Sequence, residues 1–184
     1  MKRHVPSLFA FLLGVLAMTA NATAADPENT LYLDLKDGRV VIQMRPDLAP
    51  NHVARVKELA RQGFYDGLAF HRVIDDFMAQ TGDPTGTGSG GSDLDDLEAE
   101  FSAEPYVRGA LGMARTSDPD SANSQFFIMY DEASNLNGKY TLWAYVVSGM
   151  EFVDTIKKAP GYNPSGMVKD PDRIVKMQVA ADAK

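Results

Sequence analysis

Between Phe70 and Pro84, Arg72, Phe77, Met78 and Gln80 fall within nine positions. On a β-strand, residues two apart share a face, so Met78 and Gln80 point the same way. A second segment, Asn123 to Tyr130, repeats the pattern with Gln125 and Phe127. An arginine beside an apolar patch supplies permanently charged, rigidly forked donors at the rim of a hydrophobic pocket. The same residues also suit an ordinary core with Arg72 as a surface charge. Pattern alone leans towards that second reading.

Other chemistries find little support. Apart from His4 near the N-terminus, the histidines are His52 and His71, nineteen positions apart, and there is no cysteine. Neither the spacing nor the residue types suit a zinc site or a thiolate nucleophile. No G-x-S-x-G elbow accompanies the histidines. We read His52 as lying on a surface helix and His71 in a packed strand. The acidic group Asp93, Asp95, Asp96, Glu98 and Glu100 lacks the spacing and glycine of a calcium loop, and reads as a solvated loop. Thr85 to Gly91 lacks the Lys-Ser/Thr ending of a phosphate cradle. No metal and no cofactor are therefore expected. The net charge of −7 is scattered, with no basic patch to attract nucleic acid.

The elements that must position these residues occupy one domain's length, 184 residues. Lys2 and Arg3, the apolar run Leu8 to Met18 and the small-residue site Ala22-Thr23-Ala24 have the order of a secretory signal peptide. The run is about half the ~20 residues that a membrane-spanning helix needs, so no stable membrane anchor is expected. The chain divides into a leader, 1–24, and a folded domain, 25–184. Cleavage after Ala24 and a periplasmic location follow. Within the domain, Thr30–Leu35 and Arg39–Met44 alternate as strands around an Asp37-Gly38 turn. Pro50 opens a helix whose apolar face is Val53, Val56, Leu59 and Ala60. Phe70–Ile74, Phe77–Gln80, Leu111–Ala114, Gln125–Tyr130, Tyr140–Val147 and Arg173–Ala180 read as strands, Met150–Lys158 as a second helix and Ser134–Lys139 as a turn. Many short strands with two helices indicate a closed or sandwiched β structure, with strand order left open.

The motif F-H-R-V-I-x-x-F-M-x-Q-x-G-D at Phe70–Asp83 resembles the cyclophilin signature. So do G-x-L-x-M-A at Gly109–Ala114 and S-Q-F-F-I at Ser124–Ile128. The resemblance runs from about Asn29 to Ala180. It implies a mainly β fold, an eight-stranded antiparallel closed barrel capped by two α-helices, with a shallow proline pocket on its outer face. It implies a peptidyl-prolyl cis-trans isomerase acting on proline-containing unfolded or partly folded polypeptides, and a monomer. By resemblance Arg72, Gln80 and Phe127 are catalytic. Phe77, Met78, Gly88, Ala114, Arg115, Gln125, Leu136 and Tyr140 bind substrate. By the same resemblance, Asn135 stands where many eukaryotic members carry tryptophan, Tyr140 where they carry histidine and Arg115 where they carry asparagine, and several bacterial members look similar at the last two places. These departures imply weak cyclosporin binding and an altered peptide preference. Trp143 reads as structural.

Two other readings stay open: a module of the same fold that holds proline segments without turnover, and an unrelated β-barrel with a ligand cavity inside. An interior cavity would mark the second, and a functional Arg72 argues against the first. The leader generates its own test. N-terminal sequencing of fractionated protein should find Ala25 as the first residue of a soluble periplasmic product. Full-length chain in the membrane pellet would refute it.

Overall fold

The computed structural model describes residues 26–161, 163 and 165–184. The leader and its cleavage site lie outside them. β1 (Thr30–Leu35) and β2 (Gly38–Met44) pair as the expected hairpin, Leu35 opposite Gly38. Their alternation sends Leu31, Leu33, Val40 and Ile42 fully inward. After α1 (Pro50–Arg61) come β3 (Arg72–Ile74), β4 (Met78–Thr81), β5 (Ala110–Met113), β6 (Phe126–Met129) and β7 (Leu142–Ser148). α2 (Met150–Asp154) and β8 (Lys176–Val179) complete the order.

All eight strands form one antiparallel sheet in the order β3-β4-β6-β5-β7-β2-β1-β8. The sheet is curled, but β3 and β8 do not pair as strands, so the expected closed barrel is not completed by strand pairing. The seam is made by the residues leading into them. Phe70 N–H donates to Asp172 O and Ile174 N–H to Leu68 O, each at 2.9 Å, around the bridge Ala69–Arg173. This is why β8 starts at Lys176 and not at Arg173. Residues 173 and 174 pair with the chain before β3, and Val175 N–H turns to Asp34 O.

The inward face is filled by side chains. Trp143, Tyr65, Phe70 and Phe126 are fully buried there, with Phe126 edge-on to both Trp143 and Tyr65. Burial of one such side chain stabilises the fold by about 1.5–3 kcal/mol. The packed interior removes the ligand-cavity reading. α1 lies against β8 and α2 against β2. α2 is shorter than the apolar pattern suggested. Lys157 N–H donates to the Asp172 carboxylate, and its ammonium to the carbonyls of Lys169 and Asp170, so the chain is drawn out of the helix.

The start of α1 corrects two expectations. Ala49 precedes it and has no side-chain acceptor for the free N–H groups of the first turn. Glu100 supplies one from 48 residues away, accepting from His52 N–H at 3.0 Å and Nδ1 at 2.6 Å. Asn51 donates to the same carboxylate through N–H and Nδ2, at 3.1 and 2.9 Å. His52 is thus fully buried and not on the surface. Glu100 is part of the packing and not of a solvated loop. Burial holds His52 below its ordinary 6.5 despite the carboxylate, so a neutral ring donates its Nδ1–H. For Glu100, burial acts upward. The hydrogen bonds from the His52 ring and from the His52 and Asn51 backbone outweigh it and hold the carboxyl below 4.5.

Glu100→Ala removes a helix cap and strands a buried imidazole, and should cost about 2 kcal/mol in a denaturant titration. Because the folded pKa is depressed, the stabilisation is present above the ordinary 4.5 and fades as pH falls through the lower folded value. The gap between wild type and Glu100→Gln should therefore close in acid. A gap that persists unchanged there would contradict an ionised cap.

Candidate active site

The sheet register sets the site. Arg72 on β3 pairs with Gln80 on β4, Gln80 with Phe127 on β6, and Phe127 with Gly112 on β5. Directly paired residues lie on the same face, so these four form a row across the outside of the sheet. Their neighbours Val73, Ala79, Leu111 and Ile128 face inward and join the main core. The expected sharing of a face by Met78 with Gln80 and by Gln125 with Phe127 is therefore real.

On the outer face of the sheet, Met78, Phe127 and Leu136 belong to a second apolar cluster with Tyr106, against which Phe77, Ala114 and Tyr140 pack while partly exposed. Tyr106 stacks on Phe127 at 5.8 Å, and Tyr140 meets Phe127 edge-on at 5.8 Å. Gly112 makes this possible. A side-chain carbon there would collide with the Phe127 ring and the Tyr106 hydroxyl, so the bare backbone lets both rings lie on the sheet. The result is a shallow apolar depression with a rigid aromatic wall.

Arg72 stands beside it, half buried. Nε donates to Ser165 O at 2.9 Å, and Nη1 to Gln80 Oε1 at 3.2 Å with the Met78 sulfur at 4.0 Å. Among the described residues Nη2 has no hydrogen-bond partner. Burial pulls the guanidinium below its ordinary 12.5, but it stays protonated at any working pH. Gln80 Nε2 donates to Gln125 Oε1 at 2.9 Å. Gln125 Nε2 in turn donates to Gly90 O at 2.8 Å and Gly88 O at 3.1 Å.

On the far side of the glutamines runs an open groove of about 430 Å³, lined by Gly88, Ser89, Ala114, Arg115, Thr116 and Asn123 among others. Arg115 borders it but commits its donors to backbone: Nη2 and Nε to Lys139 O at 2.8 and 3.2 Å, and Nη1 to Thr116 O at 2.8 Å. Its guanidinium lies over the Tyr140 ring at 4.5 Å. It braces the pocket wall as well as lining the groove.

All the residues expected at the site thus meet on one face. Tyr106, Gly112 and Ser165 escaped sequence reasoning. A lone glycine inside an apolar strand signals close approach, so Gly112 was discoverable. Ser165 acts through its carbonyl, for which no side-chain signal exists.

Residues 30–179 match the family model described as cyclophilin type peptidyl-prolyl cis-trans isomerase/CLD. A protein of Brucella suis named a probable peptidyl-prolyl cis-trans isomerase is 53% identical, over 95% of this chain and 94% of its own. Peptidyl-prolyl cis-trans isomerase B of Bacillus subtilis is 43% identical over 67% of this chain and 87% of its own. Among solved structures, a Cryptosporidium parvum cyclophilin type isomerase crystallised in the presence of the dipeptide Ala-Pro superposes with a TM-score of 0.75. It is 28% identical over 82% of this chain and 98% of its own. A cyclophilin from Hirschia baltica has the same TM-score and identity, over 87% of this chain and 77% of its own.

Proposed function

The chain belongs to the cyclophilin type peptidyl-prolyl cis-trans isomerases, and from that premise we propose that it serves the folding of exported proteins, as a periplasmic monomer, with Arg72 as its central catalytic residue. The activity itself follows from the family. The observation that carries the assignment of the site is Arg72. It is clamped by Ser165 O and Gln80 at the edge of an apolar pocket, and among the described residues one guanidinium nitrogen has no partner.

An X–Pro bond rotates over a barrier of ~18–20 kcal/mol because amide resonance is lost in the twisted state. No bond is broken, so the task is to bind the twisted amide better than either planar form. Twisting returns a lone pair to the proline nitrogen. Arg72 Nη2 is the donor available to meet it. Phe77, Met78, Phe127 and Leu136 hold the ring and keep water away, which strengthens a fixed donor. Gln80 keeps the guanidinium plane in place. Ala114, Arg115 and Gly88 border the path of the chain before the proline, and Tyr140 closes the wall. Support for export comes from the order of charge, apolar run and small residues over positions 2–24.

Arg72→Ala should lower kcat by about 10²–10³, the usual loss for one preorganised donor, with little change in substrate affinity. Arg72→Lys should recover little, since a point charge on a flexible stem cannot replace the fork. Phe127→Ala should weaken affinity and turnover together. A protease-coupled proline-peptide assay gives the rates, a peptide titration followed by NMR the affinity, and circular dichroism the fold. A folded Arg72→Ala protein with near-normal turnover would remove Arg72 from the mechanism, and with it the case against a pure binding module.

A further inference from the structure

Arg72 is the end of a longer chain of hydrogen bonds, and the other end is a buried carboxylate. Asp83, one residue beyond the Gly82 that follows β4, is 1% exposed. Its Oδ1 accepts from Thr85 N–H at 2.7 Å and from the Thr85 hydroxyl at 2.8 Å. Its Oδ2 accepts from Gly88 N–H at 2.6 Å. The Gly90 backbone comes so close that a side-chain carbon there would collide with Oδ1. The carboxylate is the hub around which residues 85–90 are folded. The N–H groups of Thr85 and Gly88 are already committed to Asp83, and those of Thr87 and Ser89 to the Thr85 and Thr87 hydroxyls.

That loop delivers the two carbonyls, of Gly88 and Gly90, that hold Gln125 Nε2. With Nε2 committed, Gln125 presents Oε1 to Gln80 Nε2, and Gln80 therefore presents its own Oε1 to Arg72. The direction of every amide in the series is dictated from the loop end. An amide cannot turn over without placing N–H against N–H or oxygen against oxygen at both its contacts. Below the loop the buried His71 ring lies 3.8 Å from where a Gly88 side-chain carbon would be, so the loop has a solid floor.

We propose that Asp83 is a positioning residue of the isomerase: through the Thr85–Gly90 loop, Gln125 and Gln80 it fixes the plane of the Arg72 guanidinium. Asp83 touches no substrate. Its effect is to ensure that Gln80 meets Arg72 with its oxygen, so that Nη1 is held and Nη2 is left for the proline nitrogen. Ionisation is built in. Burial acts upward on the carboxyl, but the Thr85 hydroxyl and the N–H groups of Thr85, Gly90 and Gly88 bring it to about 2. The hub stays charged wherever the enzyme works.

The inference rests on the catalytic reading of Arg72 and is separable from it. Asp83→Asn keeps the shape but sets an amide N–H against the loop's N–H groups. It should lower kcat about tenfold, below the ~10² that an ångström of misplacement can cost, with substrate affinity within about twofold. Thr85→Val loosens the hub more gently and should give a smaller loss in the same direction, which keeps the test open if Asp83→Asn folds poorly. The decisive measurement is a double-mutant cycle with Gln80→Ala, which cuts the series in the middle. In that background neither substitution should lower kcat further. Side-chain amide NMR signals of Gln80 and Gln125 should shift in Asp83→Asn and Thr85→Val of the otherwise normal chain. If kcat is unchanged in a folded Asp83→Asn protein, or if its loss is the same with Gln80→Ala, Asp83 holds only the loop and the inference falls, while a large Arg72→Ala effect would leave the catalytic reading standing. Near-normal turnover of Arg72→Ala would instead remove the reading on which both rest.

Discussion

Everything at the site depends on the register between four neighbouring strands. In an antiparallel sheet a slip of one residue would turn every side chain to the opposite face. Here the pairing of Arg72 with Gln80, Gln80 with Phe127 and Phe127 with Gly112 is locked from behind. The alternate residues Val73, Ala79, Ile128 and Leu111 are all fully buried in the core. The core therefore stabilises the domain and also aligns the functional row. Loss of register would expose four apolar side chains and bury an arginine and a glutamine, a cost far above anything gained elsewhere.

The row would be of little use if its polar members were mobile. An exposed arginine samples many rotamers, and ordering it at the moment of reaction costs free energy. In this chain the ordering is done during folding. Ser165 O and Gln80 fix two of the three guanidinium nitrogens, Gln125 fixes Gln80, and the apolar cluster excludes water on one side. On the proposed mechanism, a donor held in a partly dry setting stabilises developing electron density without reorganising.

The strands and α1 were legible because their apolar residues recur at clean periods of two and 3.6, as in Thr30–Leu35 and at Val53, Val56, Leu59 and Ala60. The cyclophilin-like motif then carried the site residues. What stayed hidden was set by partners distant in sequence. His52 looked like a surface residue because its partner Glu100 lies 48 positions away and was itself read as solvated. β8 and α2 came out shorter than their patterns because Asp172 and its neighbours serve two partners at the seam, Lys157 on one side and Phe70 on the other. Ser165 contributes a carbonyl, which every residue has. Asp83 stood in plain view at the end of the Phe70–Asp83 motif, but its role appears only when the loop is seen folded around it.

The three positions that the resemblance marks as departures from eukaryotic members, Asn135, Arg115 and Tyr140, lie at the rim and outside the row Arg72, Gln80, Phe127 and Gly112. Asn135 is exposed, whereas the next residue, Leu136, is buried in the pocket cluster, so exchanging a tryptophan for Asn135 alters the lip and not the floor. Tyr140 keeps an aromatic edge on Phe127, and Arg115 clamps it through stacking and the Lys139 carbonyl. These two differences are coupled. Without Tyr140, Arg115 would lose the ring beneath its guanidinium, and without Arg115 the tyrosine would lose its brace. Neither makes a hydrogen bond to Gln80, Gln125 or Arg72 among the described residues. Among the described residues, rim and row are separate in their hydrogen bonds and share the Phe127 ring. On this reading the peptide flanking the proline can be selected by changing Asn135, Arg115 and Tyr140, while the geometry that meets the twisted amide is held from the opposite side, by the loop folded around Asp83.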